Sequence, residues 1–372
     1  MDEGKKRFWI AVSIIIGTCI GAGILSLPYI AAQSGFFVTA VYIILIGLIV
    51  LLIDLYLGEI ALRTKGYHQI AGYAKKYLGQ KGRILVEFAI IFGIFASIVA
   101  YLVGISSSLN ILFFHNSFSS EILGIFAGLM MSFLFYHGVR DLKKFEKWVV
   151  SIILILLLAI FFIFMGKVEF SNISYLNLKN ILLPFGVVLF ALNSFQAIPE
   201  ARLILKDHEK YLKKVIITAI GISIFSYLLF SFVISGSLGQ ATPEIATIAL
   251  GPIFILLGIF TMFTSYLALG NALMEDFMFD DRLGRKLSLF LAGIVPIFIF
   301  LLTRFFKFFS FTRILSIGGV ISGGLISILI MLMIGKSKKM GKRKSEYSIP
   351  VHWGLLVLLI ILFIFGIISE IF

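Results

Sequence analysis

Charged residues and cysteines are scarce in this chain of 372 residues. Asp, Glu, Lys and Arg together make up 14% of it, whereas 60% of the residues are hydrophobic. About a quarter of the residues in a soluble domain are charged, so this chain cannot cover a water-facing surface. The single cysteine, Cys19, can form no internal disulfide bond, which excludes a secreted disulfide scaffold. The composition therefore predicts an integral membrane protein.

Motifs for nucleotide and metal chemistry are also missing. The sequence has no Gly-x-x-x-x-Gly-Lys-Ser/Thr loop, so nucleotide-driven pumping is not expected. Its five histidines fall near predicted loops, and no His-Glu-x-x-His motif pairs them as zinc ligands. The net charge of +13 would indicate nucleic-acid binding only if the basic residues shared one face of a folded domain.

Long apolar runs are what the sequence has in abundance. A helix needs roughly 20 apolar residues to cross the hydrocarbon core of a membrane. Eleven runs of this kind predict an all-α membrane protein with eleven transmembrane helices. The runs lie at about 8–32, 36–62, 84–114, 121–139, 147–166, 181–205, 212–237, 250–275, 287–303, 308–334 and 351–371.

The basic residues alternate with these spans. If the N-terminus is cytoplasmic, 27 of the 32 basic residues fall on the cytoplasmic side. Because cytoplasmic loops are the ones that carry an excess of Lys and Arg, this orientation is favoured. The pattern predicts a multi-pass protein of the cell membrane with a cytoplasmic N-terminus and an extracellular C-terminus. The five basic residues on the other side are Lys167, Lys179, Arg304, Lys307 and Arg313.

Two short segments between the spans also have helical patterns. Residues 242–250 place Thr242 as an N-cap before a proline, which predicts a small outer helix that could serve as a lid. The segment 63–83 predicts an amphipathic helix on the inner membrane surface. The residues that form its apolar face are Ile70, Tyr73, Ala74 and Tyr77.

The first span contains an interruption. Gly17, Gly21 and Gly23 are followed by Pro28. An interior glycine costs about 1 kcal/mol relative to alanine, and proline removes a backbone donor. We therefore expect a break near Gly21 to Gly23, whose free backbone groups must line a cavity or be buried in protein. The alternative is a close helix-packing face, because Gly17 and Gly21 are four residues apart.

The sixth span contains a second interruption. Asn193, Ser194 and Gln196 lie within an apolar run, and polar residues at membrane depth often mark a substrate path. A small-aliphatic-proline triplet follows each break, at 26–28 and at 197–199, five spans apart. Because five is an odd number, a repeat with this offset is inverted, and its two broken helices meet near the middle of the membrane.

These segments resemble a known family. The run Gly17-Thr-Cys-Ile-Gly-Ala-Gly-Ile-Leu-Ser-Leu-Pro-Tyr29 resembles the first-helix signature of the amino acid/polyamine/organocation superfamily. Its Gly-Ala-Gly-Ile-Leu-x-Leu-Pro-Tyr form is most similar to the amino acid/auxin permease family of amino acid transporters. The loop from Tyr67 to Gly79 and the Phe-Ala-Leu-x-x-Phe-x-Ala-Ile-Pro-Glu run of span six are also similar to these permeases.

The resemblance covers most of the chain and implies the fold of the bacterial leucine transporter. That fold has two inverted five-helix repeats, with discontinuous helices 1 and 6, followed here by one extra helix. The chain would then be a single transporter domain, residues 1–372. Repeat one is expected at 8–166, repeat two at 181–334 and the extra helix at 351–371.

Both the breaks and the resemblance indicate an amino acid as the substrate. Backbone amides after the first break would lie at a half-helix N-terminus, which suits a carboxylate, and carbonyls released at the second break would suit an ammonium. Neither break carries an acid or a base at its centre, so a neutral amino acid is expected. Tyr101 of span three, with Ser97, could line the pocket, although ordinary interior packing explains Tyr101 equally well. The predicted substrate-binding residues are Gly21, Ala22, Gly23, Ile24, Tyr101, Phe190, Ala191 and Asn193.

The eighth span offers a candidate sodium site. Thr261, Thr264 and Ser265 place three hydroxyls on one helical face. The resemblance implies that such hydroxyls, in sodium-coupled relatives, join carbonyls of the first helix, here those of Gly17 and Ile20. The alternative is that the hydroxyls bond to carbonyls of the preceding turn. No cofactor beyond this coupling ion is expected.

A proton is the second candidate for the coupling ion. Asp54 is the acid that lies deepest in a span, which makes it a functional candidate. A place near the membrane interface would explain Asp54 equally well. Glu59 has Arg63 four residues later, which predicts a structural ion pair.

Together these features predict a secondary transporter that imports a neutral L-amino acid by alternating access, coupled to a cation gradient, with sodium slightly favoured over the proton. Its expected partners are the amino acid and the lipid bilayer, without nucleic acid or an obligate protein partner. The alternatives are a polytopic membrane enzyme and a channel that does not transport amino acids.

Overall fold

The structure, a computed structural model, describes residues 3–137, 142–280, 283–306 and 309–371. Three of the basic residues counted above lie outside the described residues: Arg140, Arg282 and Lys307. The helices of the first half are α1 (Glu3–Cys19), α2 (Ala22–Ser34), α3 (Phe36–Arg63), α4 (Ile70–Phe114), α5 (Ser120–His137), α6 (Leu142–Met165) and α7 (Phe170–Ser174). Those of the second half are α8 (Pro184–Ala191), α9 (Ala197–Ile204), α10 (Leu212–Leu238), α11 (Pro252–Glu275), α12 (Arg285–Leu289), α13 (Val295–Phe306), α14 (Phe311–Gly318), α15 (Leu325–Met340) and α16 (Trp353–Ile371).

The predicted all-α architecture is present. Within the described residues, six helical segments are long and apolar enough to cross a membrane: Phe36–Arg63, Ile70–Phe114, Glu209–Ala241, Pro252–Met278, Arg285–Phe306 and Phe311–Met340. A seventh span forms if the bent pair α1 and α2 is counted as one. Shorter apolar helices cover three further predicted runs at Ser120–Leu134, Val150–Met165 and Trp353–Ile368, and α8 with α9 covers the sixth. The count of eleven, the inverted repeat and the repeat boundaries therefore stay predictions.

The helices pack into two groups that face each other. In the first group, α10 packs against α1, α2, α3 and α6. In the second, α4 packs against α5, α11 and α14. The short helix α8 contacts α2 and α3 of the first group and α14 of the second, and α15 packs on both α3 and α4. The short helix α8, one half of the second interrupted helix, therefore lies between the two groups.

The segment predicted to lie on the membrane surface is the first part of α4. It ends at Gly79, whose φ of 80° bends the helix and is a conformation that glycine adopts readily. The side chains of Tyr73 and Tyr77 are buried, and the Tyr77 hydroxyl lies 2.7 Å from that of Thr64. The apolar face of this segment packs on the protein, and its predicted location at the inner membrane surface stays a prediction.

The predicted outer helix starts later than expected. A short 3₁₀ helix covers Ala246–Leu250, and Thr242 ends the preceding 3₁₀ helix, Gly239–Ala241, instead of capping the start of this one. Instead, the Thr242 hydroxyl donates to the Gly239 carbonyl at 2.7 Å, which continues the preceding turn. The Glu244 carboxylate accepts a hydrogen bond from the Thr312 backbone N–H at 3.2 Å, so this loop is tied to the start of α14.

Glu59 anchors the segment 341–350 at one end of the molecule. Its side chain is fully buried and forms the predicted ion pair with Arg63, at 2.8 Å from Nε. The carboxylate also lies 3.4 Å from Lys338 Nζ and accepts a hydrogen bond from the Ile349 N–H at 2.8 Å. We call this end of the molecule the basic end; it carries Arg7, Arg63, Arg202, Lys338 and Arg343.

Replacing Glu59 by Gln is expected to destabilise the protein by about 3 kcal/mol, because it leaves two cations beside a buried neutral group. The measurement is the melting temperature in detergent, together with protease cleavage within residues 341–350. Glu87→Gln is the matched control, since its pair with Arg83 is part-exposed and contributes at most about 1 kcal/mol. Equal melting temperatures for the two variants would contradict the anchoring role of Glu59.

Candidate functional site

The first break lies between α1 and α2. α1 ends at Cys19 and α2 begins at Ala22, with the two axes bent by 54°. Gly21 precedes the first residue of α2 and has an extended backbone, with φ −115° and ψ −144°. The amides of Ala22, Gly23 and Ile24 are therefore the first three of α2, where no intrahelical acceptor is available. This is the half-helix N-terminus that the sequence predicts.

The second break lies between α8 and α9. α8 ends at Ala191 and α9 begins at Ala197, so residues 192–196 leave the helical path. The Asn193 N–H donates to the Phe190 carbonyl at 3.1 Å, and the Ala197 N–H donates to the Ser194 carbonyl at 2.9 Å. These turns give hydrogen-bond partners to some of the backbone groups that the interruption frees. Asn193 and Gln196 lie beside a cavity.

One side chain of α10 joins the two breaks. The hydroxyl of Tyr227 lies 2.6 Å from the carbonyl oxygen of Cys19 and 2.7 Å from that of Ala191. Tyr227 is fully buried, and its single proton is shared between these two acceptors. Both carbonyls lie at the ends of interrupted helices, where intrahelical donors are missing. Tyr227 therefore holds α1 and α8 at a fixed separation.

The two breaks also touch directly through Gly23. A Cβ atom placed on Gly23 would lie 2.6 Å from Ala191 Cα and 2.7 Å from Ala191 Cβ. The first turn of α2 thus meets the last residue of α8 with no room for a side chain. The glycine is needed here for contact between the two half-helices.

A small cavity of about 70 Å³ lies where the two breaks meet. Both interrupted helices contribute to its wall, and so do α4, α11 and the α14 to α15 region. The lining residues are Thr18, Cys19, Gly21, Gly23, Gly93, Ile94, Ser97, Tyr101, Phe190, Asn193, Gln196, Leu269, Gly318 and Ser322. A larger groove of about 520 Å³, beside Glu121 and Arg304, is open to the surroundings and contains none of the predicted site residues.

The structure brings five of the eight predicted substrate residues to this cavity: Gly21, Gly23, Tyr101, Phe190 and Asn193. The other three, Ala22, Ile24 and Ala191, are buried beside it. The Tyr101 side chain lies against the Ala22 backbone and the Ser265 side chain. The Ala191 carbonyl already has Tyr227 as a partner.

Part of the cavity wall was not predicted from the sequence. Gly318 and Ser322 come from a stretch in which α14 passes through a π-helical segment, Gly319–Gly324, before α15. Gly93 of α4 faces the Ser322 side chain so closely that a Cβ atom there would overlap it. The signal that could have revealed this wall is the cluster of four glycines at 318–324, because π-helical segments occur frequently at functional sites.

The predicted sodium ligands are only partly brought together. The Thr261 hydroxyl donates to the Leu257 carbonyl at 2.9 Å, and the Thr264 hydroxyl lies 3.1 Å from the Phe260 carbonyl. Both hydroxyl protons therefore bond within α11, as the alternative interpretation expects. Ser265 is the one nearest to the first break, since a Cβ atom on Gly21 would lie 3.8 Å from its Oγ. Gly17 is half-buried and Ile20 is buried at the end of α1.

Asp54 lies beside the second break. Its side chain is fully buried, and the Ser194 hydroxyl donates to Asp54 Oδ2 at 2.5 Å. Ser194 is in the middle of the non-helical segment 192–196. Asp54 therefore connects α3 to the backbone of the second break.

The model of the tryptophan/tyrosine permease family matches residues 4–265, which include both breaks and Tyr227. The chain belongs to this permease family. Its members are permeases rather than enzymes, so the enzyme alternative is excluded. The family also confirms the resemblance to the amino acid/polyamine/organocation superfamily.

Known relatives of the permease are amino acid transporters. It is 23% identical to tyrosine-specific transport system 1 of Haemophilus influenzae, over 95% of this chain and 93% of that protein. It is 27% identical to amino acid transporter AVT1H of Arabidopsis thaliana, over 58% of this chain and 52% of that one. Glutamine transporter 2 of Aliivibrio fischeri is 23% identical, over 60% of each chain.

Among solved structures, the permease is similar to MhsT in complex with L-phenylalanine. The TM-score is 0.66 at 13% identity, over 97% of this chain and 98% of that chain. The likeness supports the leucine-transporter-like fold that the sequence resemblance implies.

Replacing Gly23 by Ala is expected to destabilise the permease by about 1–3 kcal/mol, because the new methyl group would overlap the backbone of Ala191. The matched control is Gly221→Ala, where no atom lies within 4 Å of the added Cβ. Melting temperatures in detergent measure the difference. A Gly23→Ala variant as stable as Gly221→Ala would show that the half-helices do not meet at this residue.

Replacing Tyr227 by Phe removes one hydroxyl and takes from the buried Ala191 carbonyl the donor that Tyr227 supplies, while the Cys19 carbonyl keeps the Gly21 N–H at 2.9 Å. We expect a loss of about 1–3 kcal/mol in stability and faster hydrogen exchange of the amides at 20–24 and 192–197. Tyr56→Phe is the control, since its hydroxyl bonds the Pro350 carbonyl at 2.8 Å, at the basic end. Unchanged exchange at both breaks in Tyr227→Phe would refute the joining role of Tyr227.

Proposed function

We propose that this permease imports a neutral L-amino acid by alternating access, coupled to a cation gradient. The observation that carries the proposal is the cavity of about 70 Å³ at the junction of two interrupted helices. Broken helices that meet inside a membrane protein are a recurrent design for substrate sites in secondary transporters.

The chemistry of the cavity wall favours a zwitterion with an uncharged side chain. The amides at the start of α2 and the helix dipole suit a carboxylate. Carbonyls of the second break, at Phe190, Ala191 and Asn193, suit an ammonium group. None of the residues lining the cavity carries a charge, so a cationic or anionic side chain would be left without a partner there.

The relatives support an uncharged side chain. Their names specify tyrosine and glutamine, and the similar solved structure holds L-phenylalanine. None of these three amino acids has a charged side chain. We infer the class of substrate from this agreement, and not an individual amino acid.

The small volume of the cavity requires movement for transport. Small-molecule sites usually measure about 300–1,000 Å³, so the half-helices must separate to admit a substrate. Contacts hold both ends in this conformation. At the basic end, Arg7 donates to the Lys206 carbonyl at 2.8 Å, which ties α1 to the end of α9. At the opposite end, the Ser26 hydroxyl donates to the Glu244 carbonyl at 3.2 Å.

We place the basic end in the cytoplasm, because cytoplasmic loops carry the excess of Lys and Arg. The loop with Glu244 then faces the outside. Opening of the Ser26 contact would admit substrate from outside, and opening of the Arg7 contact would release it into the cell.

We propose sodium as the coupling ion at the hydroxyls of α11. The site would combine Thr261, Thr264 and Ser265 with the carbonyls of Gly17 and Ile20. Each threonine hydroxyl donates to a carbonyl of its own helix, and the lone pairs that remain on its oxygen can still meet a hard cation. Closure of α1 onto α11 would complete the ligand set.

The test is uptake of a panel of labelled amino acids into liposomes that contain the purified permease. We expect saturable accumulation of at least one neutral amino acid, driven by an imposed cation gradient, and no accumulation of lysine or glutamate. Sodium and pH gradients are imposed separately, so the panel identifies both the substrate and the driving ion.

Uptake of none of the amino acids would overturn the transport proposal. Uptake of charged amino acids at the same rate as neutral ones would overturn the substrate class. Accumulation that does not depend on sodium would overturn the role of Thr264 and Ser265 while leaving amino acid transport in place.

A further inference from the structure

Asp54 has a carboxyl group that is incompletely bonded within the protein interior. Oδ2 accepts the Ser194 hydroxyl at 2.5 Å, whereas Oδ1 has no hydrogen-bond partner among the described residues. Asp54 is fully buried. It lies nine residues before Arg63, which is about 13 Å along the helix from the basic end.

No cation of the described residues pairs with Asp54. Glu59, the nearest acid on the same helix, forms ion pairs with both Arg63 and Lys338. Among the described residues, the titratable groups that Asp54 influences are the Cys19 thiol and the Tyr347 phenol, and both are neutral when protonated.

The helices packed on α3 bring no cation to Asp54 either. α2, α7 and α8 contain no charged residue. The charged side chains of α9, α10 and α15 lie toward the basic end; they are Glu200, Arg202, Lys213, Lys214, Lys336, Lys338 and Lys339. Arg202 is held there by the Gly66 carbonyl at 3.0 Å, and Lys213 and Lys214 are exposed.

A buried carboxylate with a single neutral donor is costly, and it either finds a cation or takes up a proton. We propose that the Asp54 carboxyl binds and releases a proton during the transport cycle, and that this proton controls the second break through Ser194. The inference rests on the proposed amino acid transport and deepens it, because it adds a proton site beside the substrate cavity.

The two protonation states favour different shapes of the break. With a proton bound, the neutral carboxyl fits the closed arrangement, in which Oδ1 meets no donor. Without the proton, the charged carboxylate needs further donors, which water or the backbone N–H groups of residues 192–196 can supply once the break opens. The proton comes from solvent on one side of the membrane and returns to solvent on the other, and only the O–H bond of the carboxyl forms and breaks.

This proton site is distinct from the proposed sodium site. Asp54 and Ser194 lie on α3 and in the second break, whereas Thr261, Thr264 and Ser265 lie on α11. Substitutions in one set leave the other set in place, so the two sites can be tested separately.

The experiment measures substrate-linked proton flux. Liposomes containing the full-length permease and an internal pH dye receive the neutral amino acid identified by the uptake panel. We expect acidification of the lumen with the wild-type permease and a loss of at least tenfold in Asp54→Asn. Asp54→Glu keeps a proton-binding group and is expected to restore part of the flux. Asp207→Asn is the matched control, because Asp207 is exposed, and it is expected to behave as the wild type.

A second readout distinguishes coupling from folding. Exchange of labelled for unlabelled amino acid needs no net proton movement, so Asp54→Asn is expected to retain exchange while it loses accumulation driven by a pH gradient. Substrate-linked acidification in Asp54→Asn equal to that of the wild type would overturn the inference. Loss of exchange and of substrate-induced thermal stabilisation in both Asp54→Asn and Asp54→Glu would also overturn it, since Asp54 would then be a structural residue.

The wild type separates this inference from the proposed function. Amino acid exchange by the wild type without any substrate-linked proton flux overturns the proton site alone. Absence of exchange for every amino acid overturns the proposed function, and the inference with it.

Discussion

The shared hydrogen bond of Tyr227 is the interaction on which the rest of the site depends. Two helices are interrupted inside an apolar protein, and each interruption leaves carbonyls without intrahelical donors. An unsatisfied buried group costs about 1–3 kcal/mol. One phenol serves the carbonyls of Cys19 and Ala191 at 2.6 and 2.7 Å. The same contact fixes the distance between the two breaks and therefore the shape of the cavity.

The other contacts of the breaks follow the same logic. Gly23 lets the start of α2 meet Ala191, and Asp54 holds Ser194 in the second break. At the basic end Arg7 ties α1 to the segment after α9, and at the opposite end Ser26 ties α2 to the Glu244 loop. The two interrupted helices are thus joined at the middle and tied at each end. Such an arrangement allows one end to open while the middle stays joined, which is the motion that alternating access requires.

The sequence predicted the two breaks because their causes are local. Glycine, proline and polar residues weaken a helix wherever they occur, so Gly21, Gly23 and Asn193 marked the interruptions correctly. The amides at the start of α2 followed from the same reasoning. The fold class was also predictable, because the apolar runs and the first-helix signature consist of contiguous residues.

The partners of these breaks were not predictable, because they lie far away in the chain. Tyr227 is 208 residues from Cys19, and Asp54 is 140 residues from Ser194. The sequence around a tyrosine in an apolar helix does not show whether its hydroxyl bonds to a broken helix. Thr242 has the residue type of an N-cap, yet a competing bond to the Gly239 carbonyl decides its conformation. Tertiary contacts therefore determine the hydrogen-bond partners and conformations that local sequence preference does not.

The most direct test of this account is an experimental structure of the permease with its amino acid bound. We predict that the substrate carboxylate lies at the first amides of α2, from Ala22 to Ile24, and that its ammonium lies at the carbonyls of residues 190–193. The Tyr227 hydroxyl should remain within hydrogen-bond distance of Cys19 and Ala191. A bound amino acid located away from both breaks, or a straight first helix without an interruption at Gly21, would contradict the account.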